Sequence, residues 1–392
     1  YSNNKIIRFA VFLSQLPIHS IKFTMCYLGH EDNCIIYVNG EKTYLKNIDL
    51  VNKSNNFDSN DLNIKIFNPK YNSFILLPYF SKLTGNFKII LLDINKKKKI
   101  QTWIINQEAV FFDKNKVSKN SEDEFLKEKR IIPTHPLLAS NGDLIVQVKD
   151  GPVIRLDRCS YPIWINNDGV YHHSMEFDDD KNVWTSSKKV TKKFEDQHRE
   201  LLDYFLIKID SKNGKVLYKK SLIEIFLENN KSQFINSLIY SSDGNAKKIF
   251  KINDVQPVKK NGTIWKKGDV FISMHVASTI ILYRPETNKI VWMKQGPWRK
   301  QHDVDIITEN IIGIYDNNLK MDNRADFLNR ILYYDFKSNK VSEEFDQLIK
   351  KNNVSSGSQS LFSIINEKNE NNIYIEEQNN NKIIFGNSSG AK

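Results

Sequence analysis

The 392-residue sequence is poor in glycine: its 15 glycines are about half the usual share. It contains neither a G-x-x-x-x-G-K-[ST] loop nor a G-x-G-x-x-G turn, which argues against both common types of phosphate-cradling nucleotide site. Three cysteines cannot form a disulfide framework, and the absence of C-x-x-C excludes a zinc ribbon. A Cys26–Cys34 bridge across a turn-like stretch is geometrically compatible with the spacing, and free thiols are an equal alternative.

Long apolar runs are also missing. The longest near the start, Ile6–Leu13, contains an arginine and is too short to span a bilayer. No signal-peptide pattern opens the chain at Tyr1, so a signal or membrane tether upstream of it stays open as an expectation. Residues 1–60 follow no recognisable pattern, and we expect them to form a short N-terminal accessory segment.

The charge balance is basic, with 57 Lys+Arg against 46 Asp+Glu and a net charge of +11. Such a balance favours anionic partners in general, such as nucleic acid, an acidic membrane face or a sulfated small molecule. The basic residues are scattered, however, and the one dense run, Lys96–Lys99, lies between apolar stretches as a hairpin turn would. We therefore expect a small anionic molecule as the partner and no nucleic acid.

Short β-rich runs dominate the chain beyond residue 60, which predicts an all-β fold of many strands. Helical pattern is confined to about residues 5–17, 121–130, 191–205 and the segment after Ser221. A strand–turn–strand unit recurs at 91–103, 207–219, 282–292 and 333–345, with a looser copy at 153–164. Its turns place Asn or Gly at a position that needs positive φ. Spacings of about 50 to 75 residues fit four-stranded blades, so we predict a six-bladed β-propeller over residues 61–392.

A second repeat is led by histidine. His135, His173 and His302 are each followed, after eight or nine residues, by an Asn or Asp that begins a short β-run. If these runs are innermost strands, the three imidazoles point at one axis. His275 is a fourth candidate at the end of DVFISMH, and His135 fills the equivalent slot of a non-catalytic blade. His172 is expected to face away from His173, or to orient it, because adjacent strand residues point to opposite faces.

Three segments together resemble the arylsulfate sulfotransferase family, the PAPS-independent bacterial type. They are IWINNDGVYHHSMEFDDDKNVW, the stretch from GDVFISMH to IIGIYDNN, and SSGSQSLF, and the similarity covers about residues 130–385. The middle stretch is the most specific, since it carries in order His275, Trp292, Gly296-Pro297, Gln301-His302 and Asp316-Asn317. The resemblance implies a six-bladed propeller that moves a sulfuryl group from an aryl sulfate ester to a phenolic acceptor through a sulfohistidine, without a cofactor.

The same resemblance implies the roles of individual residues. His302 takes the place of the nucleophile, and His173 and His275 fall on the other two catalytic histidines. The family also places an arginine on the sulfuryl group, for which Arg299 is the candidate; Lys294 and Arg284 are the alternatives. Met274 stands where relatives often have an arginine. Residues implied in substrate binding are Lys294, Gln301, His172 and Asn317.

The chemistry is plausible on its own terms. A neutral imidazole is a competent nucleophile, and a covalent relay divides one difficult transfer into two easier ones. A second imidazole with a pKa near its usual value of about 6.5 can exchange the phenolic proton. Sulfuryl transfer, like phosphoryl transfer, develops charge on oxygen atoms, so positioned cations and donors carry it and no metal is required.

Three other readings stay open. Histidines on one axis can bind a divalent metal, although no carboxylate pair or H-x-H spacing accompanies them. Quinone-cofactor propellers have similar tryptophan repeats, but their regular spacing is missing. The main alternative is a non-catalytic propeller that serves as a binding or assembly module, with vestigial histidines. We expect an extracytoplasmic protein, periplasmic or secreted, and a homo-oligomer is compatible with either function.

Overall fold

The computed structural model describes residues 35–38, 41–44, 74–81, 86–93, 98–105, 132–191, 201–240, 249–319, 328–367, 370–380 and 382–387. The chain divides into two compact units. Among the described residues, the first unit holds those up to Asp168 together with 211–214, and the second holds the others from Gly169 onward. The expected boundary at residue 60 lies outside the described residues.

The first unit consists of antiparallel strands. The strands β1 (Ile35–Val38) and β2 (Glu41–Tyr44) form a hairpin. Two three-stranded meanders follow: β3 (Phe74–Ser81), β4 (Asn86–Asp93) and β5 (Lys98–Ile104), then β6 (Pro133–Leu138), β7 (Leu144–Val148) and β8 (Gly151–Leu156). The long strand β9 (Pro162–Phe177) begins in this unit and continues into the second.

The second unit is a series of antiparallel meanders in chain order. The end of β9 pairs with β10 (Val183–Thr191), which is followed by β11 (Leu201–Ile209) and β12 (Val216–Ser221). The next sheet contains β13 (Ile252–Pro257), β14 (Val270–Met274), β15 (Thr279–Arg284) and β16 (Lys289–Gln295). Another contains β17 (Asp303–Ile306), β18 (Ile311–Asp316), β19 (Arg330–Asp335) and β20 (Lys340–Glu344). The last contains β21 (Leu361–Glu367), β22 (Glu370–Glu377) and β23 (Lys382–Asn387). The all-β prediction is confirmed.

Three short α-helices interrupt the described strands: α1 (Leu222–Glu228), α2 (Ser232–Tyr240) and α3 (Asp346–Asn352). The predicted helix after Ser221 is α1, and the Ser221 hydroxyl caps it by accepting the N–H of Glu224 at 3.1 Å. The helical prediction for 191–205 is wrong at its C-terminal end, because residues 201–205 belong to β11. That strand hydrogen-bonds to β10 on one side and β12 on the other, and sheet pairing overrides the local charge pattern.

The predicted strand–turn–strand repeats are β-hairpins in the structure. They are formed by β4 with β5, β11 with β12, β15 with β16, and β19 with β20. The turns of the last three contain a residue with positive φ: Gly214 at 76°, Asn288 at 53° and Asn339 at 56°. The sequence therefore identified both the hairpins and the residue types that close them, because Gly and Asn tolerate left-handed backbone best.

An ion pair recurs at one place in three of the meanders, two of which belong to one seven-stranded sheet that runs from β6 to β12. An aspartate before the second strand binds a cation at the end of the third strand, and the pairs are Asp143–Arg155 (2.6 Å), Asp178–Lys208 (2.7 Å) and Asp269–Arg284 (2.7 Å). In the sheet that begins with β17, Asn310 and Asp335 make the equivalent contact through an amide at 2.7 Å. The repetition identifies these groups as structural fasteners of each sheet.

In the second unit, the first strands of successive sheets are joined by single hydrogen bonds, which we call the first-strand links. A backbone N–H of one strand donates to a side chain of the preceding one: Val255 to Ser174 Oγ (3.4 Å), Val304 to Asp254 Oδ2 (3.1 Å) and Phe362 to Asp303 Oδ2 (2.9 Å). Each acceptor directly follows His173, Asn253 or His302 in the chain. The links therefore fix these three residues relative to one another.

Cysteine usage differs from the expectation. Cys159 is disulfide-bonded, whereas Cys26 and Cys34 lie outside the described residues. Because the chain contains three cysteines, a bridge at Cys159 and the suggested Cys26–Cys34 bridge cannot both form within one chain.

Candidate active site

Four histidines converge in the second unit. The ring centroids of His275 and His302 are 4.5 Å apart, those of His173 and His302 are 5.8 Å apart, and those of His172 and His173 are 3.9 Å apart. His302 is 4% exposed and His173 is 9% exposed. The structure thus brings together the three histidines that the sequence singled out, with His172 beside them.

Irregular backbone aims these side chains. On β9 the pairing with β10 shifts register between Tyr171 and Met175, which makes a β-bulge of the residues between them. Within that bulge His173 has a φ of 62°, a left-handed conformation that costs a non-glycine residue free energy and that recurs at functional sites. The hydroxyl of Ser186 donates to the carbonyl of His172 at 2.7 Å and so stabilises the bulge.

The bulge corrects one expectation. His172 was expected to face away from His173 because strand residues alternate between faces. The bulge breaks that alternation, and the two rings are in edge-to-face contact. His135, in the first unit, lies at a similar register shift of β6 and has a φ of 47°.

The hydrogen bonds of His302 define its protonation. Its Nδ1 lies 2.5 Å from Oδ1 of Asn317, whose own amide N–H groups donate to the carbonyls of Ser356 (3.0 Å) and Gln359 (3.1 Å). Since the Asn317 amide is oriented by those two bonds, Oδ1 is the acceptor and Nδ1 of His302 carries the proton. Nε2 accepts the backbone N–H of Gln359 at 3.0 Å. His302 is therefore a neutral imidazole with its lone pair on Nε2.

This contact gives Asn317 a role different from the expected substrate binding. Its side chain is fully buried and is occupied by His302 and two backbone carbonyls. It binds Nδ1 of His302 and leaves Nε2 to other partners, as the groups that orient catalytic imidazoles do.

His275 is also held as a neutral ring. Its Nδ1 contacts the backbone carbonyl of Gln301 at 3.4 Å. Burial is the main cause that lowers the pKa of His275 to about 2, and electrostatic interactions with His302, Lys251 and Lys300 lower it further. The expectation of a catalytic imidazole with an ordinary pKa therefore does not hold for His275 in the unliganded protein, where it is no proton donor at neutral pH.

Gln301 is fully buried and holds the site together. Its side-chain Nε2 lies 3.1–3.2 Å from Ser273 Oγ and from the carbonyls of Met274 and Thr279 on β14 and β15. Its amide nitrogen anchors the residue that precedes His302, while its backbone carbonyl contacts His275. The expected contact of this side chain with substrate stays a prediction.

Two of the three candidate cations for the sulfuryl group have partners in the structure. Arg284 forms a bidentate bond with Asp269, as one of the fasteners described above. Lys294 Nζ lies over the ring of Tyr334, at 5.4 Å from its centroid. The side chain of Arg299 is exposed, and its backbone N–H donates to Asp316 Oδ1 at 2.7 Å.

Two lysines act on the histidines instead. Lys251 and Lys300 are the cations whose charges lower the pKa of His275. Each stands two residues before an inward-placed side chain, Asn253 or His302, and each has left-handed backbone, with φ of 50° and 59°. Burial lowers the pKa of Lys300 itself. A repeated Lys-x-[Asn/His] step was the sequence signal for both lysines, and it was missed.

We expect Arg284 to be a stability residue and no anion binder. Replacing Arg284 with Met leaves Asp269, which is 1% exposed, without its guanidinium, so the free energy of unfolding should fall by about 2–3 kcal/mol. Chemical unfolding measures the loss, and Arg299→Met is the matched control because that side chain is exposed. An unchanged stability of R284M together with a weaker affinity for aryl sulfate would contradict this assignment.

Four acids lie along the first strands of the same unit: Glu176, Asp254, Asp303 and Asp305, of which Asp254 is buried and the others are half-buried. Burial raises the pKa of Glu176 to about 7 and that of Asp254 to about 6. The pKa values of Asp303 and Asp305 are raised well above the usual range by burial and by the other acids. The cluster therefore retains protons under conditions in which exposed carboxyls have lost them.

This cluster makes stability depend on pH. Between pH 4.5 and 7 the folded protein holds a proton on Glu176 that the unfolded chain has released, so stability should fall as the pH rises. Glu176→Gln should remove about 3 kcal/mol of the stability lost between pH 4.5 and 8. Urea unfolding at both pH values measures it, with the exposed Glu286→Gln as control. A wild-type protein that becomes more stable over this interval would contradict the prediction.

Two further observations bear on the readings left open. Within the described ranges, no group of three or more His, Cys, Asp and Glu side chains is arranged to hold a metal ion. Among the same residues, no helix is long and apolar enough to cross a membrane.

Comparisons with known proteins return solved structures and one family. The solved structures include the β-propeller domain of Cps50 (Swd1) from Myceliophteria thermophila (10% identity, 83% of this chain and 85% of that chain, TM-score 0.40). A streptogramin B lyase is similar at 12% identity over 71% of each chain, with a TM-score of 0.37. No curated protein sequence matches the chain.

A family model matches the chain as well. The sequence model described as arylsulfotransferase (ASST) matches residues 135–391, a stretch that contains all four converging histidines and both lysines. Because this stretch is well over half of the 392 residues, the chain belongs to the arylsulfotransferase (ASST) family.

Proposed function

We propose that the protein transfers a sulfuryl group from an aryl sulfate ester to a phenolic acceptor, with a covalent intermediate on Nε2 of His302. The observation that carries this proposal is the tautomer of His302. Asn317 holds the proton on Nδ1, which leaves the lone pair of a neutral imidazole on Nε2. That is the form in which histidine is a nucleophile.

In the first step, Nε2 attacks the sulfur atom and the bond between sulfur and the aryl oxygen breaks. The leaving oxygen takes the bonding electron pair and a proton, and departs as a phenol. The sulfated ring becomes cationic while its Nδ1 keeps its proton and donates it in a hydrogen bond to Asn317 Oδ1, which stabilises the new positive charge.

In the second step, the hydroxyl oxygen of the acceptor attacks sulfur. The S–N bond breaks, its electron pair returns to Nε2, and the acceptor's proton passes to a base. His173, 5.8 Å from His302 between ring centroids, is the proposed proton carrier in both steps. His275 is neutral in the unliganded protein, and a bound sulfate anion would raise its pKa by favouring the cationic form.

Donors for the sulfuryl oxygens are close by. The N–H of Gln359 lies 3.0 Å from Nε2, so it is placed to donate to a sulfuryl oxygen once sulfur approaches that atom. Gln359 and Ser360 both have positive φ, 57° and 79°, and this strained backbone needs little further distortion to release Nε2. Lys251 and Lys300 supply positive charge that favours an anionic donor.

The wider setting is part of the proposal. We assign the meanders as blades of a six-bladed propeller and place the protein outside the cytoplasm, periplasmic or secreted. The disulfide at Cys159 supports an oxidising compartment. A membrane tether upstream of Tyr1 and a homo-oligomer are compatible with this function.

One observation favours the alternative of a non-catalytic binding module: the Gln359 N–H occupies the lone pair that catalysis requires. Incubation of the protein with 4-nitrophenyl sulfate, with and without phenol, separates the two functions. We expect release of nitrophenol that phenol accelerates. A folded protein that releases nothing from a panel of aryl sulfates would favour the binding module.

A further inference from the structure

Asn253 occupies the position in its sheet that histidine occupies in two others. It follows Lys251 by two residues, as His302 follows Lys300, and both lysines have left-handed backbone. It is the extra residue at a register shift between β13 and β14, as His173 is part of the bulge on β9. The acid after it, Asp254, accepts a first-strand link, as does the acid after His302.

The side chain of Asn253 ends beside the paired imidazoles. Its Nδ2 donates to the carbonyl of Gln301 at 3.5 Å, and His275 Nδ1 contacts the same carbonyl. The backbone N–H of His275 donates in turn to the carbonyl of Lys251, so the two segments are neighbours. The side-chain amide of Asn253 and the ring of His275 therefore share one carbonyl, that of the residue before His302.

That oxygen accepts no hydrogen bond from any described residue, although Asn253 is only 2% exposed. A buried acceptor without a donor lowers the stability of the folded protein. A bound molecule that donates a hydrogen bond to Oδ1 of Asn253 would satisfy this acceptor.

We propose that Asn253 contacts the acceptor substrate, that its Oδ1 accepts a hydrogen bond from a hydroxyl next to the reacting one, and that the preferred acceptors are therefore catechols. This inference rests on the proposed function. The reacting hydroxyl has one proton, which goes to the base as the new O–S bond forms, so a second donor must satisfy Asn253. A site with such a buried acceptor discriminates against ligands that leave it unpaired.

The test compares acceptors at a fixed concentration of 4-nitrophenyl sulfate. Catechol has the second hydroxyl, 2-methoxyphenol keeps its shape without the donor, and phenol lacks the group. We expect kcat/KM for catechol to exceed that for the other two by about 10- to 100-fold, after allowance for its two equivalent hydroxyls. Asn253→Leu should reduce this ratio to about 1.

Gln256→Leu is the matched control, because Gln256 is a buried amide on the same strand whose Nε2 bonds only to the carbonyl of Pro257. It should keep the preference for catechol. General damage to the fold would lower all rates together and leave the ratio unchanged, so the ratio reports the contact itself.

Equal use of catechol and phenol by the wild-type protein, or an unchanged ratio in N253L, would overturn the inference while leaving the proposed function intact. If the wild type transfers nothing, the proposed function fails, and calorimetric titration with catechol and phenol then decides the role of Asn253. Tighter binding of catechol that N253L loses would support the contact, and equal binding would refute it.

Discussion

Replacing His302 with Ala is expected to lower sulfuryl transfer by a factor of about 10⁴ or more, because the variant lacks the Nε2 lone pair to which the sulfuryl group would bind. The wild-type protein, quenched rapidly after mixing with an aryl sulfate, should carry a sulfuryl adduct on the peptide that contains His302. The H302A protein should show neither the adduct nor the initial burst of phenol. Peptide mass spectrometry and stopped-flow absorbance measure the two.

His135→Ala is the matched control. His135 has the same left-handed backbone at a register shift, but it lies in the first unit and the family resemblance assigns it no catalytic part. Its replacement should leave transfer unchanged. Full-rate phenol release by a wild-type protein that never carries the adduct would refute the covalent step and leave direct transfer between the two substrates.

Replacing Asn317 with Leu is expected to reduce kcat by about 10²- to 10³-fold with little change in KM for the donor. Leucine cannot accept the Nδ1 proton of His302, so the ring loses its fixed tautomer and the cationic intermediate loses its partner. Loss of the amide also leaves the carbonyls of Ser356 and Gln359 without donors. Steady-state kinetics and the burst amplitude measure the effect.

Asn317→Asp separates positioning from structural damage. The carboxylate keeps an acceptor at Nδ1, whereas it loses both donors to the backbone just as leucine does. N317D should therefore recover much of the activity that N317L loses, although both variants should be less stable. Equal inactivity of the two, with equal losses of stability, would mean that Asn317 acts only on the fold.

The hairpins and the family could be predicted because their signals are local. The turn residues Asn288 and Asn339 mark two hairpins in the sequence itself, and the order of His275, Gln301 and His302 carries the resemblance. Asn253 could not be predicted in this way. Its equivalence to His173 depends on a β-bulge, which is a property of pairing between strands and leaves no trace in the residue alternation of either strand.

The basic residues of the site were also beyond prediction from the sequence. Arg299 is closer in type to the expected arginine, but it is exposed, whereas Lys300, the next residue, acts on His275. The two residues are adjacent, and the left-handed backbone distinguishes Lys300 from Arg299. Lysine as a residue type does not predict that backbone conformation. Similarly, Asp269 and Asp316 are ordinary acids in the sequence, and only the sheet shows that Arg284 and Arg330 are already committed to them.

The first-strand links have a consequence for how this protein can diverge. Each link joins a backbone N–H of one first strand to the residue that follows His173, Asn253 or His302 on the preceding first strand. The groups that hold neighbouring first strands together therefore lie within those strands themselves. Insertions at the hairpins leave these groups untouched. Selection can therefore lengthen or replace the connecting segments, and with them the walls that meet a new substrate, while the spacing of His173, Asn253 and His302 is inherited unchanged.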